Sequence, residues 1–314
     1  MSAPTVQVFL LLTMKSFAII PRTYWLASVA CAICSAGLLQ SQSLPFEPAL
    51  EAGQSITGAY EGWFANPDGS FSMLVGYFNR STKQSLDIPL GPNNQIQPGG
   101  PDYGQPTHFL AGRGWGMFTI KVPKDFGEKK LTWTIVANGK PTAIKLWLNR
   151  DYEISPFSAA ADVGPDADTP PTLRFQDFKE QGPMVQGPQG LTATRTASVR
   201  EPLPITVWLS DDGKWFSNSG AKPRNLGPIP VTVTWSKYRG PGTVTFSKEK
   251  PLAEKLESGD PKFVFNGKAT TTASFSEPGD YVLHVTINDY SGEGGGGGFQ
   301  CCWSNGTVNV TVKP

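Results

Sequence analysis

The chain has 314 residues, a formal net charge of +1, 34 Gly, 28 Pro and 11% aromatic residues. A near-neutral balance without a basic block argues against nucleic acid as the partner. The Gly and Pro content favours turns and strands over helices, and the length suits two sandwiches of ordinary size.

The first 43 residues contain Lys15 and Arg22 but no Asp or Glu. An apolar run at 25–39 follows, short for a bilayer crossing, and Ser41-Gln42-Ser43 offers a small-x-small cleavage site. This reads as an export signal covering 1–43, with Met14 as an alternative start. A lipoprotein reading at Ser28-Val29-Ala30-Cys31 ranks second, because Ser28 stands where such motifs prefer Leu, and a retained anchor ranks third. Export predicts a secreted, periplasmic or cell-surface location with no other membrane contact. Removal of the signal leaves only Cys301 and Cys302 of the four cysteines. The mature chain is therefore no disulfide-dense scaffold and depends on apolar burial.

Residues 44–157 read as an N-terminal β-rich domain. Phe71, Met73, Val75 and Tyr77 alternate with mostly polar or small residues, and Leu131, Trp133 and Ile135 do the same. Ile144, Leu146 and Leu148 form a further alternating set. A two-residue period places each set on one face of a half-buried antiparallel strand. Asn138-Gly139 between two such runs is the strongest hairpin signal, because a type I′ turn needs positive φ at both central positions. Residues 158–191 carry repeated X-Pro steps and glycines, which disfavour helix and sheet alike, and read as a linker with room for one short strand at Leu173-Arg174-Phe175. Asp162, Asp166 and Asp168 lie in it without the spacing of an EF-hand loop.

Residues 192–314 read as a second sandwich. Its inward sets are Ile205, Val207 and Leu209, then Val231, Val233 and Trp235, then Val244 and Phe246. The charged run 248–260 allows a helical turn. Tyr281, Leu283, Val285 and Ile287, and then Val308, Val310 and Val312, form the closing strands, with Tyr281 placed as a corner tyrosine. The fold class expected is all-β, two antiparallel sandwich-type domains joined by a Pro/Gly-rich linker, the C-terminal one immunoglobulin-like. Val-Thr-Trp-Ser-Lys-Tyr-Arg-Gly-Pro-Gly-Thr-Val-Thr-Phe at 233–246 and Ala-Ser-Phe-Ser-Glu-Pro-Gly-Asp-Tyr-Val-Leu at 273–283 resemble the PKD-like and REJ-like immunoglobulin-type modules of secreted bacterial proteins. The segment 199–205 and the Ser-Asp-Asp-Gly turn at 210–213 are similar to that family's opening strands. The chain departs from it in an insertion at 214–226 and a glycine tract at 294–298.

No catalytic constellation emerges. The two histidines, His108 and His284, come without a Gly-x-Ser-x-Gly elbow and are too few for a zinc site. His284 reads as a surface or inter-strand residue. The glycine tract lacks the Gly-Lys-Ser/Thr ending of a phosphate cradle. No metal and no cofactor is expected. The candidate ligand-binding residues are Trp63 and Trp147, on polar strand faces, and Phe299 and Trp303, flanking the cysteine pair; flat apolar rings exposed to water favour burial by a partner or a sugar ring. Trp208 shares the polar-face pattern. Core tryptophans closed over by loops are the alternative for each.

Adjacent cysteines have Cα atoms below the usual disulfide separation, so a bond between Cys301 and Cys302 must distort the intervening peptide. A vicinal disulfide that locks a binding tip is narrowly favoured over two separate thiols, an intermolecular bridge or a soft copper(I) site. The function expected is a non-catalytic exported protein that binds or presents a glycan or protein ligand. The alternative is a secreted carbohydrate-active hydrolase whose catalytic block is 57–157, since paired carboxylates leave no sequence spacing to read.

Overall fold

A computed structural model describes residues 50–157, 168–214, 229–289 and 301–314. Among them the only helical element is a 3-10 turn at Arg150–Tyr152, so the chain is all-β. The expected signal at 1–43, with Cys31 and Cys34, lies outside the described residues. So do the insertion from residue 215, the glycine tract, Phe299, Asp162 and Asp166. No helix among the described residues is long and apolar enough to cross a membrane.

The first sandwich contains β1 (Ile56–Ala65), β2 (Phe71–Asn79), β3 (Leu86–Asp87), β4 (Asn94–Gln97), β5 (His108–Phe109), β6 (Gly112–Val122), β7 (Leu131–Ala137) and β8 (Lys140–Leu146). Two antiparallel sheets, β1-β2-β6 and β4-β7-β8, bury one shared core, and β3 pairs with β5 beside them. The alternating sets supply that core: Met73, Val75 and Tyr77 from one sheet, Leu131, Trp133, Ile135 and Leu146 from the other. Trp133 satisfies its indole N–H on Asn94 Oδ1 at 3.0 Å, as a buried polar tip requires. Asn138 and Gly139 join β7 to β8, both at positive φ, which is the geometry of a type I′ turn.

The second sandwich contains β9 (Thr172–Arg174), β10 (Val185–Gln186), β11 (Leu191–Ser198), β12 (Leu203–Asp211), β13 (Val231–Arg239), β14 (Val244–Phe246), β15 (Glu254–Lys255), β16 (Phe265–Phe275), β17 (Gly279–Asp289) and β18 (Trp303–Lys313). One sheet runs β10-β9-β12-β16-β14, with β15 also on β16, and the other runs β11-β18-β17-β13. The opening segment divides between the sheets: β9 pairs antiparallel with β12, and β11 pairs parallel with β18. Trp235 is fully buried on the third long strand, β13, and Tyr281 at the start of β17 donates its hydroxyl to Glu277 O at 2.9 Å while accepting from Gly242 N at 3.0 Å. That hydroxyl-to-backbone link is the tyrosine corner of immunoglobulin-like sandwiches, and the fold is of that type.

Two expectations change here. From Asp168 onward the segment read as linker is structural: Leu173 and Phe175 are core residues, and β9 and β10 extend a sheet. Its prolines at 170 and 171 stand just before β9 and so cost the ladder no donor. The charged run 248–260 holds β15 and turns, with no helical turn.

Both cores lie within one compact unit, Ala49–Pro314. A bulge between Lys237 and Arg239 makes β13 the joint between the sandwiches. There Tyr238 donates to Gly104 O (2.6 Å), Thr107 N donates to Tyr238 O (3.1 Å), and Lys237 Nζ pairs with Asp87 (2.9 Å). Arg239 grips Asp102 through both oxygens, at 3.0 and 2.8 Å, and donates to Gln105 O as well. His108 also reaches Asp87 at 2.9 Å, so this histidine belongs to the joint.

Candidate functional site

The four candidate aromatics do not form a common surface. Trp63 is 9% exposed; its ring meets Phe71 edge-on and its indole N–H donates to Asn149 O at 2.6 Å. Trp303 is 1% exposed, with its ring against Gly116. Neither can present a flat face to a ligand: the β1 bulge after Tyr60 puts Trp63 opposite Met73 in the first core, and Gly116 of the other sandwich closes over Trp303. Trp147 is half-buried between Tyr60 and Tyr152, with the Lys130 ammonium 5.8 Å from its ring. Trp208 is half-buried too. Phe299 lies outside the described residues. Cys301 and Cys302 are joined by a disulfide across a cis peptide, but both are buried, so the pair forms no exposed tip.

Among the described residues the exposed tryptophan is Trp115, at 38% exposure, which was not a candidate from the sequence. Two interlocked bulges put it there. In β1 the register skips Glu61, and between β2 and β6 the pairing passes from Val75↔Phe118 directly to Tyr77↔Gly114. A bulge leaves residues unpaired and bends the strand, and here it turns Trp115 outward while Gly116 stays buried. Glu61, 7% exposed, holds the two bulges together: Oε1 accepts from Arg113 Nη2 at 2.6 Å and Oε2 from Gly116 N at 2.9 Å. Gly76 has to be glycine, since a Cβ would run into Glu61, Gly114 O and Arg113. Gly116 has φ +45° and lies against the Trp303 ring, which excludes a side chain there as well. Burial raises the Glu61 carboxyl pKa, while the Arg113 guanidinium and the Gly116 N–H draw it back down.

The Arg113 guanidinium lies 4.1 Å from the Trp115 ring centroid, a cation–π pair anchored from below by Glu61. Trp115 and Arg113, with Leu110 and Met117, form one wall of a cleft of about 220 Å³ between the sandwiches. The other wall is the outward face of β13 and β17: Thr232, Thr234, Ser236, Thr286 and Asn288. Among the described residues the lining contains no Asp or Glu, so they offer no pair of carboxylates there for glycoside hydrolysis. His284 lines the cleft and is 2% exposed, so of its two readings, surface or inter-strand, the surface one falls; the Tyr238 ring stacks on it at 5.5 Å. Burial alone pushes its pKa down to about 4, so it is neutral near pH 7. Hydroxyls, an amide, an aromatic ring, the Arg113 guanidinium and the Lys250 ammonium suit binding of a polar, neutral to anionic ligand.

No protein-family model matches this chain, and no curated protein matches it. Among solved structures the chain is similar over 86% of its length to Dpr2 Ig1-Ig2 in complex with DIP-Theta Ig1-Ig3, at 9% identity and a TM-score of 0.23, and spans 63% of that chain. It is similar over 83% of its length to Rst D1-D2, covering 100% of that chain at 9% identity and a TM-score of 0.22. A protein of unknown function from Porphyromonas gingivalis W83 aligns over 82% of this chain and 99% of its own, at 8% identity and a TM-score of 0.23. Likeness at these scores leaves the fold to be argued from topology and says nothing of what the chain binds.

Proposed function

We propose that this chain is an exported, non-catalytic binding protein that takes a glycan in the cleft between its two sandwiches, with Trp115 as the stacking platform. The observation that carries this reading is the buried Glu61, which fixes Arg113 and the Gly116 backbone so that a large aromatic stands rigidly at the mouth of a hydroxyl-lined cleft. A preorganised ring binds without first paying to order itself. Sugars offer it an apolar face, and their hydroxyls pair with Thr232, Thr234, Ser236 and Thr286. The export signal at 1–43 and the PKD-like character of the second sandwich belong to this proposal. A disulfide in a chain with so few cysteines supports an oxidising compartment.

The test is a glycan array probed with the parent protein and with Trp115→Ala. Glycans bound by the parent and lost by the variant support the reading. No glycan bound by the parent, or the same glycans bound by both, refutes it. Capture of an extended peptide or a folded protein at Trp115 instead would convert the site to a protein-binding one.

A further inference from the structure

We propose that Asp168, Asp211 and Asp289, at one end of the immunoglobulin-like sandwich, form a binding site for a hard divalent cation, calcium by the chemistry of its donors. The site follows from where three inward-facing rows stop. Along β12 the core residues Ile205, Val207 and Leu209 are followed on the same face by Asp211; along β17, Leu283, Val285 and Ile287 are followed by Asp289. Asp289 N donates to Cys302 O at 3.3 Å, which brings the Cys302 end of β18 to the same place. The two sheets thus each end an apolar row in a buried carboxylate, and Asp168, just before β9, adds a third. All three residues are at most 4% exposed.

A carboxylate oxygen of Asp168, one of Asp289 and the Cys302 sulfur lie within 4.8 Å of one another. Two oxygens that share a calcium ion at roughly 2.4 Å each stand at most about 5 Å apart, so Asp168 and Asp289 fit one ion directly, and Asp211, which stands outside that distance of at least one of them, joins it through a water. The Cys302 sulfur is committed to the disulfide and is no thiolate, which leaves oxygen donors and disfavours soft metals. A separate observation comes from Asp211. Its Oδ1 accepts from Gly213 N at 2.8 Å, but its buried Oδ2 has no hydrogen-bond partner. The charges acting on it are those of Asp212 and Asp168, both negative. A buried anionic oxygen facing further anions is costly unless a cation joins them. Asp212 is placed to steady the site: its Oδ2 accepts from Thr169 Oγ1 at 2.9 Å, next to Asp168. The sequence expectation of no metal rested on the missing loop motif and on having only two histidines, whereas these residues come from the ends of β12 and β17 and from the segment ahead of β9.

The experiment uses the purified protein stripped with EDTA, equilibrium dialysis against calcium chloride, and thermal melts with calcium or magnesium chloride at about 1 mM, the range in which extracellular modules bind calcium. The expected result is one calcium per chain and a calcium-dependent rise in Tm, with a smaller rise in magnesium. Asp211→Asn should weaken calcium binding about tenfold or more. Without calcium it should melt no lower than the parent, because it removes an uncompensated charge; a variant that is merely destabilised and still binds calcium overturns the proposal. Should Asp211→Asn fail to fold, the parent stoichiometry and Asp289→Asn decide. No calcium retained by the parent at about 1 mM, or equal binding by either variant, also overturns it.

Discussion

Acidification tests the burial of His284 quantitatively. Its pKa is pushed from 6.5 to about 4 by burial alone. The unfolded chain therefore takes up a proton between these values while the native chain does not, so stability falls as pH drops through about 6.5 and the loss is complete near pH 4. The full effect is about 3 kcal/mol, and about 2 kcal/mol of it is gone by pH 5. Asp211 works against this. Its carboxyl is pushed up to about 7, so the native state binds a proton that the unfolded state releases, and stability rises as pH falls from 7 towards 4. The raw pH profile is thus a difference of two opposed terms. His284→Gln removes one and leaves the other. Urea unfolding of parent and variant at pH 8 and pH 5, followed by tryptophan fluorescence, should give a stability gap that moves by about 2 kcal/mol in favour of the variant at pH 5. A gap that is the same at both pH values would show that the imidazole is solvated or holds a compensating charge, and the closed packing of Tyr238 on His284 would be wrong.

Arg239→Ala removes two charge-assisted contacts to Asp102 and the donors to Gln105 O, and should cost about 2 kcal/mol, measured by urea unfolding. Because Arg239 holds the Asp102 carboxyl below its usual range, this contribution is present above pH 4 and lost as pH falls through the depressed value; an unchanged midpoint at pH 7 would count against the joint. Glu61→Gln leaves Arg113 without its counter-charge and should lower stability by about 2 kcal/mol, whereas a change under about 0.5 kcal/mol would mean the pair is solvated. A protein produced from residue 44 onward should gain the mass of about two hydrogens on denaturing reduction and give no reducible dimer, since Cys301 and Cys302 are bonded to each other; free thiols or a dimer would contradict that pairing.

The frame of the fold was legible because strand alternation survives burial. Tyr281, Leu283, Val285 and Ile287 announce their inward face, and Asn138-Gly139 its turn. The short strand allowed at Leu173-Arg174-Phe175 is present as β9, but its place in a sheet and core was not legible, because its partner, β12, lies more than 30 residues further along the chain. The aromatic site was harder. Unbroken alternation puts Trp63 on a polar face, but the β1 bulge after Tyr60 turns it into the first core, and Trp303 is closed off by Gly116 of the other sandwich; neither effect leaves a trace in spacing. Trp115 did carry a local signal, the Gly112-Arg113-Gly114-Trp115-Gly116 pattern, since glycines flanking an aromatic within a strand mark a bulge. Its locking partner, Glu61, lies 52 residues from Arg113 and leaves no trace in spacing. The same holds for Asp168, Asp211 and Asp289.

The most direct test of the binding account is the affinity of the parent and of Trp115→Ala for one soluble glycan taken from the array, measured by isothermal titration alongside urea unfolding of both proteins. The account predicts a loss of about tenfold or more in affinity, while stability changes by less than about 1 kcal/mol because the ring is partly solvent-facing. Unchanged affinity would remove Trp115 from the site, and a stability loss of several kcal/mol would make it a core residue rather than a platform.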